Sequence, residues 1–268
     1  MRSGIRAATR VTVDGPRVRW THEWPVVLRP TGSGPAGERV HLVHAAGGPL
    51  GGDDLALSVD VGPGARLAVH SAGATLVQPG AATDTPARWT VDLRVGAGGR
   101  LHWAPEPTVV SDRAALESAV RVTLAAGAAA TVRETVVLGR HGQRGGRYAG
   151  ALHVVVGEVP LLAHTTVLDG ADAALCGPAG TAGARAVGTL VRVGALPLPG
   201  WGAEEAAGES DGVRWAWTPL DGPGAVLLAV GTPAAVTARL DAAEREAPEP
   251  DRAGRGLQHG GLAAVGSQ

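Results

Sequence analysis

The feature that most constrains the fold of this chain is a strand–turn–strand pattern that is repeated in its first half. Alternating apolar residues stand on both sides of a glycine turn, which recurs about every 30 residues, at Gly64, Gly98 and Gly127. Apolar residues at every second position are typical of a β-strand with one buried face. Each unit is followed by a short β-branched run, and these runs begin at Thr75, Thr108 and Thr135. Such a unit cannot cover its own apolar face, so the pattern predicts a mainly β, β-helical or layered scaffold of stacked hairpin units.

Further strands and one short C-terminal helix are predicted beyond this repeat. Residues 151–168 predict a hairpin, and residues 225–230 predict a buried strand. Thr232 followed by a proline is typical of a helix start, and we expect a helix over residues 234–247.

One β domain over residues 1–248 is therefore the expected organisation of the chain. Residues 249–268 are polar and rich in glycine, lack an apolar period, and are expected to be disordered. The segment 177–212 is rich in alanine, glycine and proline and gives only weak signals.

The composition excludes several classes of function. The 268 residues carry a formal net charge of −1 and include no lysine, which argues against binding to nucleic acid or to an anionic membrane. One cysteine, Cys176, excludes an intramolecular disulfide and a multi-thiolate zinc site. With neither a signal sequence nor a spanning apolar run, the chain is predicted to be soluble and cytoplasmic.

Familiar enzyme motifs are mostly missing. A phosphate loop of the Gly-Lys type cannot exist without lysine. The letters of a nucleophile elbow occur at residues 208–212, but the flanking sequence predicts a plain turn. His41 and His44 have the spacing of a metal pair, yet on a strand they would point to opposite faces.

Acidic residues stand at comparable places of the repeat, namely Asp53, Glu106 and Glu134. Asp53 follows two glycine pairs, which predict a tight turn or a backbone that another segment approaches closely. If the units stack in register, the carboxylates could line a water-filled passage able to hold a divalent ion briefly. The other interpretation is that each acid is a solvated residue at a strand end.

Several segments, in the right order, resemble the family of the urease accessory protein UreD, also called UreH. The likeness extends over about residues 25–170. It is carried by Leu-Val-His-Ala-Ala-Gly-Gly-Pro-Leu-Gly-Gly-Asp at 42–53, Val-Gly-Pro-Gly-Ala at 61–65, Leu-His-Trp-Ala-Pro-Glu at 101–106, and Glu-Thr-Val-Val-Leu-Gly-Arg at 134–140.

This resemblance implies a non-enzymatic chaperone with a β-helical scaffold. Such a protein would join UreF and the GTPase UreG, dock on the apo-urease subunits, and help to insert nickel through a polar internal passage. It would be part of a hetero-oligomer, and a dimeric form is one that the resemblance allows. It would hold no tightly bound cofactor and would carry nickel only transiently.

The resemblance also implies a set of site residues. The passage residues would be Asp53, Thr75, Glu134 and His164, of which Asp53 and Glu134 would touch the metal. The supporting motif would comprise Gly47, Gly48, Gly51, Gly52, Glu106, Leu138, Gly139 and Arg140.

Three positions depart from the pattern of the UreD family. Ala46 replaces the proline of a Pro-Gly-Gly, Leu76 stands where lysine is common, and His164 stands where glutamate is frequent. A neutral imidazole can still donate to nickel, so His164 stays in the predicted passage.

Two alternatives come from other classes of protein. One is a carbohydrate-active β-helix enzyme that uses two of the carboxylates Asp53, Glu106 and Glu134, which would need an open cleft. The other is a purely structural interaction protein whose acids never meet a metal.

Overall fold

Strands dominate the computed structural model, which describes residues 4–34, 37–80, 85–194 and 206–245. The first half contains β1 (Arg6–Asp14), β2 (Arg17–Thr21), β3 (Val26–Gly34), β4 (Gly37–His44), β5 (Asp54–Val61), β6 (Arg66–Ser71), β7 (Thr75–Val77), β8 (Ala87–Val95), β9 (Arg100–Ala104) and β10 (Thr108–Val110). The second half contains β11 (Ala115–Leu124), β12 (Ala129–Leu138), β13 (Arg147–Val156), β14 (Val159–Asp169), β15 (Ala186–Gly194), β16 (Ala207–Ser210), β17 (Val213–Pro219), β18 (Gly224–Gly231) and the helix α1 (Pro233–Arg245).

Two sheets wind into a β-solenoid of about four turns. The first sheet has the strand order β14-β13-β11-β8-β5-β1-β2, and the second has β16-β17-β18-β15-β12-β9-β6-β4-β3. The repeat strands pair in parallel with their counterparts in the next turn, as β5 does with β8 and β6 does with β9. The predicted β-helical scaffold is therefore confirmed.

The glycine turns join one sheet to the other. Gly64, Gly98 and Gly127 have φ of 67°, 67° and 75°, a left-handed backbone that glycine adopts without strain. The strands on either side of each turn lie in different sheets and pair with neighbouring turns of the solenoid. Each repeat unit is thus an arch rather than an antiparallel hairpin, because stacking supplies the hydrogen bonds that a hairpin would form internally.

The main core fills the space between the two sheets. Inward residues of the first sheet, such as Leu57 and Leu93, belong to the same buried cluster as Leu67, Leu101 and other inward residues of the second sheet. Burial of this alternating apolar set is the chief stabilising term for such a scaffold.

The C-terminal elements agree with the sequence pattern. Strands β13 and β14 form the predicted antiparallel hairpin, and β18 is the predicted buried strand. Thr232 caps α1, since the Ala235 amide donates to its Oγ1 at 3.3 Å. Val236, Leu240 and other apolar residues of α1 pack on the outer face of the second sheet. The predicted disordered tail lies outside the described residues.

Two smaller expectations concern loops and membranes. The elbow-like letters at 208–212 form a hairpin turn between β16 and β17, with Asp211 and Gly212 at positive φ, so no helix follows the serine. Of the described residues, no helix has the length and apolarity that crossing a bilayer would require.

Candidate functional site

Glu134 lies at the centre of the candidate site because of the alternation along β12. Arg133 points outward, where its guanidinium pairs with Asp241 and Glu244 of α1. Glu134 therefore points inward, between the two sheets. Its Cα pairs with that of Thr189 on the neighbouring strand β15. On its other side, β12 pairs with β9 up to Val132 and with β10 from Val136 onward. The carboxyl group thus stands where the second sheet turns a corner.

Two interior cavities meet at Glu134. The first, which we call the corner cavity, leaves about 30 Å³ for the centre of a water-sized molecule, and its polar lining is Thr75, Glu106, Thr108, Ser118, Glu134, Thr135 and Tyr148. The second, the end cavity, leaves about 10 Å³, and its polar lining is Glu134, Tyr148, His164, Thr166 and Thr189. Volumes of this size hold one or a few water molecules.

The environment of Glu134 favours its neutral form. Burial raises the pKa of this carboxyl from 4.5 to about 7. Among the described residues, no cation forms an ion pair with it and no hydrogen bond to its carboxyl is seen. Arg133 cannot compensate because it lies on the other side of the sheet. A carboxyl group with a pKa of about 7 can release its proton when a cation arrives, as metal binding requires.

Tyr148 stands beside Glu134 in both cavities. Its hydroxyl is hydrogen-bonded to Ser118, and burial together with the charge of Glu134 raises its pKa above the usual range. The phenol therefore stays neutral and offers an oxygen in the lining of both cavities.

His164 and Thr166 form the far wall of the end cavity. The Thr166 hydroxyl and the His164 Nε2 are 3.0 Å apart, and burial lowers the pKa of the imidazole. The ring is therefore neutral at physiological pH, which is the form that can bind a metal ion. His164 therefore shares the end cavity with Glu134.

Thr75 and Glu106 line the corner cavity, whereas His164 lines the end cavity. Thr75 pairs in register with Thr108, which in turn pairs with Val136 of β12, so stacked strands form this wall. Glu106 is exposed, and its amide donates to the Ser71 hydroxyl at 2.8 Å. Of the predicted passage residues, Thr75, Glu134 and His164 therefore lie along two adjoining cavities, together with Glu106 of the supporting motif.

Asp53 is separated from this group. It is buried, and its carboxylate accepts hydrogen bonds from the amides of Ile5 at 2.7 Å and Leu50 at 2.9 Å. It lines neither the corner cavity nor the end cavity. Its contacts tie the N-terminal segment to the glycine-rich loop, which is a structural task.

The glycine pairs before Asp53 allow a close approach of two backbones. Gly48 has φ of 96°, and a Cβ there would lie 1.8 Å from the Leu76 carbonyl oxygen. Gly52 also has a positive φ of 93°. Gly47 accepts a hydrogen bond from Gln78, and a Cβ on Gly51 would meet the Gly80 amide at 2.7 Å. The loop therefore packs directly against β7 and the residues that follow it.

The Leu138-Gly139-Arg140 element is a corner at the end of β12. Gly139 has φ of 69°, and Leu138 is buried. The Arg185 guanidinium donates to the carbonyl oxygens of all three residues. The element holds the corner in place and presents no side chain to the two cavities.

Some residues that line the two cavities were not predicted from the sequence. They are Ser118, Tyr148, Thr166 and Thr189, together with Thr108, which was noted only as the start of a strand. Their common signal is a polar side chain at an inward position of an otherwise apolar strand. Tyr148, the one tyrosine of the chain, occupies such a position in β13, between two exposed residues.

His41 and His44 lie on opposite sides of the second sheet, as predicted. The His41 ring stacks near His70, with ring centroids 5.6 Å apart, whereas the His44 ring meets the edge of Trp89 inside the solenoid. Burial lowers the pKa of His44 to about 4. The two histidines therefore do not form a metal-binding pair.

The interior site suits a small hydrated ion rather than an organic substrate. Its donors are carboxyl, hydroxyl and imidazole groups, which fit a borderline divalent metal. Across the described ranges, no cluster of three or more His, Cys, Asp or Glu residues is arranged to hold a metal. These two interior cavities are much too small for a sugar ring.

The fold and the site together define a β-solenoid protein whose apolar interior contains two small cavities with polar lining. The family model described as "UreD urease accessory protein" matches residues 10–247. The chain belongs to the UreD family of urease accessory proteins.

Curated relatives agree with this assignment. Urease accessory protein UreD of Frankia alni is 38% identical over an alignment 279 positions long, which covers 89% of this chain and 91% of the relative. UreD of Streptomyces coelicolor is 38% identical, with 88% and 94% covered. UreD 3 of Streptomyces griseus is 40% identical, with 84% and 87% covered.

Proposed function

We propose that this chain is an assembly factor that helps to insert nickel into apo-urease. Membership in the UreD family supports a role in urease maturation. The further step to nickel rests on the interior site, because its oxygen and imidazole donors match the preferences of that ion. On this proposal the protein acts without catalysing a reaction of its own, and it works in the cytoplasm.

The single observation that carries the proposal is the position of Glu134 between the two cavities. One acid with a pKa of about 7 lies between a wall with Thr75 and Glu106 and a wall with His164. A nickel ion that enters at either wall would meet the Glu134 carboxyl next. Loss of the carboxyl proton would then offset part of the cost of taking the cation out of water.

UreF, the GTPase UreG and the urease subunits are the proposed partners. A chain whose interior conducts an ion must receive it from one protein and deliver it to another. This requirement favours a hetero-oligomer, in which this chain lies between the nickel source and the enzyme.

Asp53 has a different place in this proposal from the one the family resemblance implies. Its two carboxylate oxygens already accept backbone hydrogen bonds. We therefore assign it to the support of the glycine loop, and assign the metal contact to Glu134, with His164 and Thr75 along the route.

The purely structural alternative makes a distinct prediction. If the chain only holds partners together, nickel delivery would depend on its surface and not on Glu134.

Cells that lack this chain should contain urease without nickel, and the full chain should restore nickel to the enzyme. Measurement of nickel bound to purified urease, with and without the chain, tests the proposal, and equal nickel in both samples would contradict it.

A further inference from the structure

Arginines on the outer face of the first sheet are mostly paired with acids on neighbouring strands. Arg6 pairs with Asp54 at 3.3 Å and Arg88 pairs with Glu117 at 3.0 Å, and further pairs join Arg94 to Asp60 and Arg121 to Asp92. Ion pairs between neighbouring strands are therefore the usual state of the arginines on this face.

Three other arginines do not take part in this pattern of ion pairs between strands. Arg113, Arg144 and Arg147 are exposed and line one surface cavity of about 490 Å³. Within the described parts of the chain, none of the three forms an ion pair. The guanidinium groups therefore lie around the cavity without a carboxylate partner among the residues that the structure describes.

The two acids beside this cavity bind backbone amides instead of the arginines. Asp112 accepts a hydrogen bond from the Gly145 amide at 2.7 Å, and Asp169 accepts one from the Ala171 amide at 2.9 Å. Their charges reduce the positive potential but leave the arginine donors free. The cavity thus keeps a net positive lining and unused donor groups.

An apolar cavity adjoins the arginine cavity. It has about 320 Å³, shares Arg147 and Asp169 with its neighbour, and is lined further by Leu116, Leu168 and Val167. The Val167 residue is 66% exposed, the highest value among the large apolar residues described. We call the two adjoining cavities together the arginine groove.

We propose that the arginine groove binds an acidic segment of a protein partner, with an apolar side chain of the same segment in the adjoining cavity. Guanidinium groups bind carboxylates in a bidentate geometry, which suits Asp or Glu of such a segment. A free inorganic anion would fill only the arginine part and leave Val167 and its apolar neighbours in water. Binding of such a segment depends on this charge complementarity and is independent of nickel transport.

The test uses the full chain and defined probes. The probe is a pool of capped octapeptides that carry Asp or Glu at two positions and Leu, Val or Phe at two others, and binding is followed by fluorescence anisotropy. A second pool has Asn and Gln in place of the acids, and inorganic phosphate alone is the third probe. The variants are Arg113→Gln with Arg147→Gln, and a matched control with Arg17→Gln and Arg19→Gln on β2, at the opposite edge of the same sheet.

We expect the acidic pool to bind, the amide pool to bind at least tenfold more weakly, and the groove variant to lose affinity by a similar factor. The control variant should bind like the unchanged chain. Absence of binding would overturn the proposal, and so would an equal loss in the control variant, which would indicate non-specific attraction. Phosphate that binds as tightly as the acidic pool would indicate a site for a free anion and would also overturn it.

Discussion

Glu134 and Tyr148 line the same two interior cavities, and the charge of Glu134 adds to burial in raising the pKa of the Tyr148 hydroxyl. The two groups therefore cannot both be ionised at low cost. This relationship makes Glu134 the one group of the pair that responds to pH or to a cation in the physiological range.

Replacement of Glu134 by glutamine should stabilise the chain at alkaline pH. The folded state raises the pKa of this carboxyl to about 7, so folding is opposed more strongly as pH rises from about 4.5 to about 7. The cost reaches about 3 kcal/mol above that window. Glu134→Gln avoids this cost, so its advantage in the free energy of unfolding should be absent at pH 4 and largest at pH 8, as measured by urea denaturation.

A matched substitution at an exposed acid serves as control for this profile. Glu209 is exposed on β16, so Glu209→Gln should leave the pH dependence as it is. A Glu134→Gln chain with the same pH dependence as the original would contradict the buried, unpaired state of the carboxyl.

Replacement of His44 by leucine should stabilise the chain at acidic pH. Burial lowers the pKa of His44 to about 4, and neither ring nitrogen has a hydrogen-bond partner in the described structure. Below about pH 6.5 the unfolded chain takes up a proton that the folded chain refuses, at a cost of about 3 kcal/mol by pH 4. The difference in unfolding free energy between His44→Leu and the original chain should therefore grow as pH falls from 7 to 4, and a constant difference would count against it.

Asp53 should behave as a structural residue. Its carboxylate accepts two backbone hydrogen bonds while buried, so Asp53→Ala should lower the free energy of unfolding by about 3 kcal/mol. Asp53→Asn keeps one acceptor oxygen and should lose less. Denaturation curves for the two variants test this order, and an Asp53→Ala chain of unchanged stability would show that the two hydrogen bonds matter little.

The docking of α1 should depend on Arg133. This buried guanidinium pairs with Asp241 and with Glu244 at 3.6 Å, and His102 lies 3.3 Å from Glu244. Burial tends to raise the pKa of Glu244, but His102 and Arg133 outweigh it and hold the pKa below 4.5. Stability from this network is therefore present above about pH 4.5 and lost below it.

Arg133→Met should leave the two acids of α1 without their cation and cost about 2 kcal/mol at neutral pH. Amide exchange of α1 should accelerate in that variant, whereas Arg39→Met, an exposed change on the same sheet, should not alter it. Unchanged protection of α1 in the Arg133 variant would contradict the role of this network.

The sequence pattern was sufficient for the scaffold but not for every part of the site. Glycine turns with alternating residues predicted stacked β units, yet an arch and a hairpin share the same local pattern, and only pairing between turns distinguishes them. Glu134 and His164 were placed by resemblance, and their shared cavity depends on how β12 and β14 face each other across the interior.

Asp53 and Tyr148 show two ways in which the sequence alone could not predict the site. The motif around Asp53 marks a tight turn, but nothing in the motif tells whether the carboxylate meets a metal or the amides of Ile5 and Leu50. Tyr148 lies on β13, the next strand along the chain after the β12 strand of Glu134 but in the other sheet, so its proximity follows from the winding of the solenoid.

The nickel content of urease from cells whose only copy of this chain carries Glu134→Gln tests the account most directly. The account places the metal contact at this carboxyl, so nickel per urease should fall at least tenfold while the variant chain stays as abundant as the original. The same measurement with Glu209→Gln should give full nickel. Full nickel in urease from the Glu134→Gln cells would contradict the claim that an ion crosses the solenoid past this residue.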